Sequence, residues 1–101
     1  MIELGGNIKL SGFSEQDMAS LIVIKKLVGN FVKHFAHSSS VVASFDLTRK
    51  DIHKTKGSTQ HEVKGKLTLT NGKILNVEHI DRNLYVTLDR VFKKIEAAAR
   101  K

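Results

Sequence analysis

The spacing of hydrophobic residues divides the chain into extended and helical segments in a clear order. Ile2, Leu4, Ile8 and Leu10 predict an extended first segment, with a bend or bulge at residues 5–6, where two glycines occur. Apolar residues three and four positions apart then predict one long amphipathic helix that ends near residue 36. The core-facing residues of this helix are expected to be Leu21, Ile24, Val28, Phe31 and Phe35, with Leu27 and Val32 widening the face.

The start of that helix is predicted from its capping chemistry. Ser14 is a favourable N-cap residue, and Asp17 follows at the third position after it, where a capping box carries an acidic or amide side chain. The sequence therefore predicts a helix over residues 14–36.

From residue 41 the period of the pattern changes to two, as in a strand. One side of this strand is predicted to face the core, namely Val41, Ala43, Phe45 and Leu47. The other side is predicted to face solvent, namely Val42, Ser44, Asp46 and Thr48. A polar segment, His53–Gln60, follows and is predicted to be a loop.

A second alternating segment runs from Val63 to Leu69, and residues 73–79 are predicted to form the returning strand. Between them, Asn71-Gly72 predicts a type I′ hairpin turn, because both residues tolerate a positive φ. The loop His53–Gln60 and the turn at Asn71-Gly72 thus connect two hairpins, which implies an antiparallel arrangement of the last three strands.

The final segment is predicted to be a second one-faced helix. Its buried stripe is expected to contain Leu84, Leu88, Val91, Ile95 and Ala98, with Tyr85 and Phe92 at one edge. The complete order is β-α-β-β-β-α. It predicts one α+β domain over residues 1–101, with a four-stranded sheet and both helices packed on one face.

Composition limits the kinds of site and the cellular location that the sequence predicts. The chain has no cysteine, which removes a disulfide framework and thiolate zinc sites and suits a cytoplasmic protein. We see no secretory signal and no apolar run of membrane-spanning length.

The charge is more informative, because it is unevenly distributed. The chain has 17 basic and 10 acidic residues, a net charge of +7. Residues 82–101 alone carry six basic and two acidic residues, which is more than half of the excess. Such a basic stripe is typical of nucleic-acid binding, although a solubilising surface has the same composition.

Catalytic chemistry is not indicated. His34 and His37 lie one helical turn apart, but no carboxylate at helical spacing completes a metal site. There is no glycine-rich phosphate loop and no recognisable Ser-His-Asp arrangement. We therefore expect a binding protein that has no metal, cofactor or small-molecule substrate.

The run "DRNLYVTLDRVFKKIE" resembles the final helix of the ribosome hibernation-promoting factors, also called ribosome-associated inhibitor or sigma-54 modulation proteins. In that family the helix opens with an acidic or polar residue, followed by a Met or Leu, a Tyr, two small residues, an aliphatic residue and an Asp. Residues 84–89 follow this pattern except that Val86 and Thr87 are bulkier than the usual small pair, and Asn83 stands where the family usually has an acidic residue. The opening segment "IELGGNIKLSGF" and the β-α-β-β-β-α order are also similar to the family over essentially the whole chain.

The resemblance implies a short member of the family that binds ribosomal RNA of the small subunit and blocks translation under stress. RNA contacts are expected first from the last helix, through Arg82, Arg90, Lys93, Lys94, Arg100 and Lys101. Second choices come from the first helix, namely Lys25, Lys26 and Lys33. Tyr85 is interpreted as a partly buried core residue rather than a base-stacking one.

The alternative is a protein-interaction or dimerisation module with a solubilising basic surface. Ile22 and Val23 fall outside the predicted core face of the first helix, and Val42 falls on the polar side of its strand. Under the ribosome-binding hypothesis the free protein is expected to be a monomer that binds no membrane.

Overall fold

The structure is a computed structural model that describes residues 2–4, 7–13, 16–38, 42–55 and 58–99. It contains two helices, α1 (Met18–Ser38) and α2 (Leu84–Ala99). The strands are β1 (Ile2–Leu4), β2 (Ile8–Ser11), β3 (Val42–Thr55), β4 (Ser58–Leu69) and β5 (Ile74–Asp81).

The strands form one mixed sheet in the order β1-β2-β3-β4-β5. Strands β2 and β3 are parallel and are connected through α1, whereas β3, β4 and β5 form the predicted antiparallel meander. The α+β class and the β-α-β-β-β-α order are confirmed. The first extended segment, however, folds back on itself, because β1 pairs with β2 antiparallel and Ile2 lies opposite Leu10.

Both helices pack on the same face of the sheet. The rings of Phe31 in α1 and Phe92 in α2 stack with their centroids 4.4 Å apart, and Phe45 of β3 lies 5.6 Å from Phe31. In α2 the predicted stripe is correct, since Leu84, Leu88, Val91 and Ile95 are buried and Ala98 is partly buried against the core.

Helix α1 begins later than predicted, at Met18. Asp17 is its N-cap residue, because the amide of Ser20 donates to Asp17 Oδ1 at 2.8 Å and the amide of Leu21 donates to the Asp17 carbonyl at 3.0 Å. Hydrogen bonding from the side chain of Ser20, and then from its backbone amide, lowers the pKa of Asp17. Ser14, the predicted cap, lies outside the described residues. Leu27 is 38% exposed and does not widen the core face.

The predicted faces of β3 are wrong at its beginning. Val42 is buried and Ala43 is exposed, while Phe45 and Leu47 are buried as predicted. The register between β3 and β4 shifts between Val42 and Ser44, and this irregularity reverses the alternation of faces. Val42 is therefore a core residue and not part of an exposed surface; Val41 lies outside the described residues.

Two connections also differ from the prediction. Most of the expected loop His53–Gln60 is strand, because β3 continues to Thr55 and β4 begins at Ser58. At the next turn only Gly72 has a positive φ, of 92°, so the turn is not type I′. The amide of Gly72 donates to the Leu69 carbonyl and the amide of Leu69 donates to the Lys73 carbonyl, which is a three-residue loop closed by a glycine bulge.

Replacing Leu88 tests which face of α2 is buried. Leu88 is fully buried in the core, so Leu88→Ala is expected to lower the free energy of unfolding by about 2–5 kcal/mol. Val86→Ala is the matched control, because Val86 is 38% exposed on the same helix. Urea unfolding measures both variants. A loss below about 0.5 kcal/mol for Leu88→Ala would show that α2 packs through another face.

Candidate nucleic-acid interface

The position of α2 is fixed by its first turn. Asn83 is the N-cap residue, and its Oδ1 accepts hydrogen bonds from the amides of Tyr85 at 2.9 Å and Val86 at 3.2 Å. The Asn83 amide donates to Asp81 Oδ1 at the end of β5, at 3.1 Å. Two residues therefore separate the helix from the strand, and these hydrogen bonds fix the direction in which the helix backbone leaves the sheet.

The basic side chains predicted on α2 lie on its solvent-facing side. Arg90, Lys93 and Lys94 are exposed, and Arg82 is exposed in the short connection before the helix. Arg100 and Lys101 lie outside the described residues. Tyr85 is 40% exposed at the margin of the helix, so its ring is only partly buried.

Two of these cations have partners within the protein. Lys93 Nζ lies 3.2 Å from Asp89 Oδ2, an ion pair across one helical turn with both side chains exposed. Lys94 Nζ donates to the Glu78 carbonyl of β5 at 2.6 Å. Because β5 is the last strand of the sheet, Lys94 satisfies a carbonyl at an open sheet edge, a contact that hinders pairing with another chain.

Arg82 and Arg90 are free by comparison. Neither side chain forms a hydrogen bond or an ion pair with another described residue. They are therefore the cations of α2 and its connection that are most available to phosphate oxygens.

The three lysines predicted on α1 are also exposed, namely Lys25, Lys26 and Lys33. Their angular positions place Lys26 and Lys33 opposite the buried stripe, so they point away from the sheet, whereas Lys25 lies at the margin. The acidic Glu96 of α2 lies near α1 and lines a small cavity with Phe31, His34 and Phe35. The basic residues thus occupy the outer surface of the helical layer, while this acid lies between the helices.

The uncovered face of the sheet has a different charge balance. It presents Lys9, Lys50, Lys64 and Lys66 together with Asp46, Glu62 and Glu78. Glu62 lies between two of these lysines, with Oε1 3.6 Å from Lys50 Nζ and 4.0 Å from Lys64 Nζ. By contrast, residues 16–38 and 82–99 carry seven basic and three acidic side chains. Among the described parts of the chain, the helical layer is the more basic surface.

A buried polar cluster at one end of the sheet was not anticipated from the sequence. The side chain of Arg49 in β3 is only 6% exposed. Its Nε donates to His61 Nδ1 at 2.9 Å, its Nη1 donates to the Gly12 carbonyl at 3.0 Å, and its Nη2 is paired with Asp51. The alternation of β3 already placed Arg49 on the same face as Phe45 and Leu47, and this signal could have identified it.

This cluster predicts a pH dependence of stability. Burial lowers the pKa of His61, the positive charge of Arg49 lowers it further, and Asp51 raises it. Since the folded state then binds a proton less readily than the unfolded state, stability is expected to fall as the pH decreases below about 6.5. His61→Asn retains an acceptor for Arg49 without this titration and should lose less stability between pH 7.5 and 5. If thermal unfolding showed the same loss of stability for the wild type and for His61→Asn, His61 would not be the group responsible for the pH dependence.

In the described ranges, no group of three or more His, Asp or Glu side chains is arranged to hold a metal ion. Likewise, none of the helices in those ranges combines the length and apolar character needed to cross a bilayer.

No family model matches the chain, and no curated protein matches it in sequence. The function of this protein is therefore inferred from its residues, its fold and its distribution of charge.

Proposed function

We propose that this protein binds ribosomal RNA of the small ribosomal subunit and inhibits translation, as the resemblance to hibernation-promoting factors implies. The observation that carries the proposal is the basic outer surface of the helical layer, with Arg82 and Arg90 exposed and unpaired among the described residues. A factor of this kind acts in the cytoplasm, by binding rather than by catalysis.

The physical basis of such binding is electrostatic. Cations that neutralise RNA phosphates release condensed counterions, and this release supplies a large part of the affinity. Folded RNA is recognised mainly by its shape and backbone, so a protein that holds its charges at fixed positions is well suited to it. Helix α2 supplies that rigidity, because its buried stripe packs on the sheet and Asn83 fixes its first turn.

The contacts are expected to differ in strength. Arg82 and Arg90 need to break no internal contact before they meet a phosphate. Lys93 must share its charge with Asp89, and Lys94 also holds the β5 edge through the Glu78 carbonyl. We therefore propose the two arginines as the principal contacts of α2 and its connection, and Lys33 of α1 as an additional one.

Sedimentation with purified ribosomal particles tests this function. At low salt the protein should travel with the small subunit and with intact ribosomes, and it should remain at the top of the gradient with the large subunit. Addition of the protein to a cell-free translation reaction should reduce synthesis. Recovery only at the top of the gradient with every particle would reject the proposal.

A further inference from the structure

The first half of α1 exposes an unusual amount of apolar surface. Met18 is 79% exposed, Ile22 55%, Val23 44% and Leu27 38%. The only other exposed large hydrophobic residues in the described chain are Ile74, Tyr85 and Val86. Single exposed apolar residues are common on proteins, but a concentration of four within ten residues indicates a contact surface.

These four side chains surround a lysine. Met18 and Ile22 lie one helical turn apart on one side, and Val23 and Leu27 lie one turn apart on the other. Lys26 lies between the two pairs, four residues after Ile22 and three residues after Val23, and it is exposed. We call these five residues the α1 patch.

The charge of α1 limits what can cover this patch. The helix carries three lysines and no acidic residue over Met18–Ser38. A complementary surface therefore has a carboxylate for Lys26 and apolar side chains around it. An ion pair enclosed by apolar contacts is shielded from water and salt, which makes it stronger than a pair at an exposed rim.

Two other occupants fit less well. RNA phosphates would pair with Lys26 but would leave four apolar side chains without apolar partners. A second copy of this chain would bring another net charge of +7, and a symmetric contact would place the α1 lysines of both copies close together. A protein surface that presents a carboxylate among apolar side chains matches both the charge of Lys26 and the hydrophobic residues around it.

We infer that the α1 patch binds a protein component of the small ribosomal subunit, through a carboxylate set among apolar side chains. This inference rests on the proposed function, because it takes the partner from the particle that α2 is proposed to bind. It separates the two helices by role: α2 contacts RNA, and the first half of α1 contacts protein. It also reassigns Lys26 from an RNA contact to a protein contact.

The test uses two probes, intact small subunits and protein-free RNA extracted from them. Ile22→Gln combined with Val23→Gln removes apolar surface from both sides of Lys26 at exposed positions, so the helix should remain folded. The variant is expected to bind the protein-free RNA like the wild type and to bind intact subunits at least about 10-fold more weakly. Ile74→Gln is the matched control, because Ile74 is 50% exposed on the opposite face of the sheet; it should bind both probes normally.

Each other outcome overturns the inference in a recognisable way. Wild-type affinity of the double variant for intact subunits would show that the patch has no protein partner there. An equal loss with both probes, with the fold intact, would assign the patch to RNA. A wild-type dimer that the substitutions dissociate would assign it to a second copy. Failure of the wild-type protein to bind either probe would instead reject the proposed function on which the inference depends.

Discussion

Gly12→Ala is expected to prevent stable folding. Gly12 has a φ of +81°, a conformation that costs a residue with a side chain about 1–2 kcal/mol. In addition, a Cβ atom at this position would lie 1.9 Å from the carbonyl oxygen of Arg49. Since that oxygen belongs to the backbone of a paired strand, it cannot move aside as a flexible side chain would.

The same contact involves the buried cluster. The Gly12 carbonyl accepts a hydrogen bond from Arg49, so displacement of residue 12 also removes a partner of a buried guanidinium group. We expect the combined loss to exceed about 4 kcal/mol, the range reserved for severe disruptions. Circular dichroism and thermal unfolding provide the measurement.

Gly29→Ala is the matched control for this variant. Gly29 lies within α1, and a Cβ atom there would meet no atom within 4 Å. Because alanine is about 1 kcal/mol better than glycine inside a helix, this substitution should raise the melting temperature. A melting temperature of Gly12→Ala within a few degrees of the wild type would contradict the close approach between Gly12 and the backbone of β3.

Reversal of two charges on the helical layer is expected to have the largest effect on RNA binding. Arg82→Glu with Arg90→Glu replaces two exposed cations that have no partner among the described residues. Glutamate is favourable near a helix N-terminus and is a good helix former, so α2 should remain intact. Affinity for small subunits is expected to fall on the order of 100-fold at low salt, because two phosphate contacts become repulsive.

The control for this variant lies on the other margin of the same helix. Asp89→Asn with Glu96→Gln removes two negative charges and releases Lys93 from its ion pair. Binding should then be unchanged or tighter. Wild-type affinity of a folded Arg82→Glu, Arg90→Glu variant would show that the basic surface serves solubility alone.

Elements whose hydrophobic residues follow a single period were predictable from the sequence. The stripe of α2 follows helical spacing, and Leu84, Leu88, Val91 and Ile95 are buried as predicted. Thr87 is also buried, although the prediction did not include it. In β3 the alternation predicts Phe45 and Leu47 correctly but fails at Val42, because a register shift depends on the pairing with β4 and not on β3 alone.

Features that depend on contacts between distant residues were not predictable. The positive φ of Gly12 follows from the close approach of Arg49, 37 residues away in the chain. Likewise, the α2 sequence shows that Lys94 is exposed, but only the fold places it beside the Glu78 carbonyl. The sequence therefore identified the basic helical face, whereas the structure separates its free cations from those with internal partners.

The salt dependence of binding to separated subunits tests the central claim most directly. Dissociation constants of the wild-type protein for the small and large subunits are measured from about 50 to 200 mM salt. With about four phosphate contacts, the logarithm of the association constant for the small subunit should fall with a slope near −3 against the logarithm of the salt concentration. A dissociation constant that does not change with salt, or equal affinity for both subunits, would contradict the account.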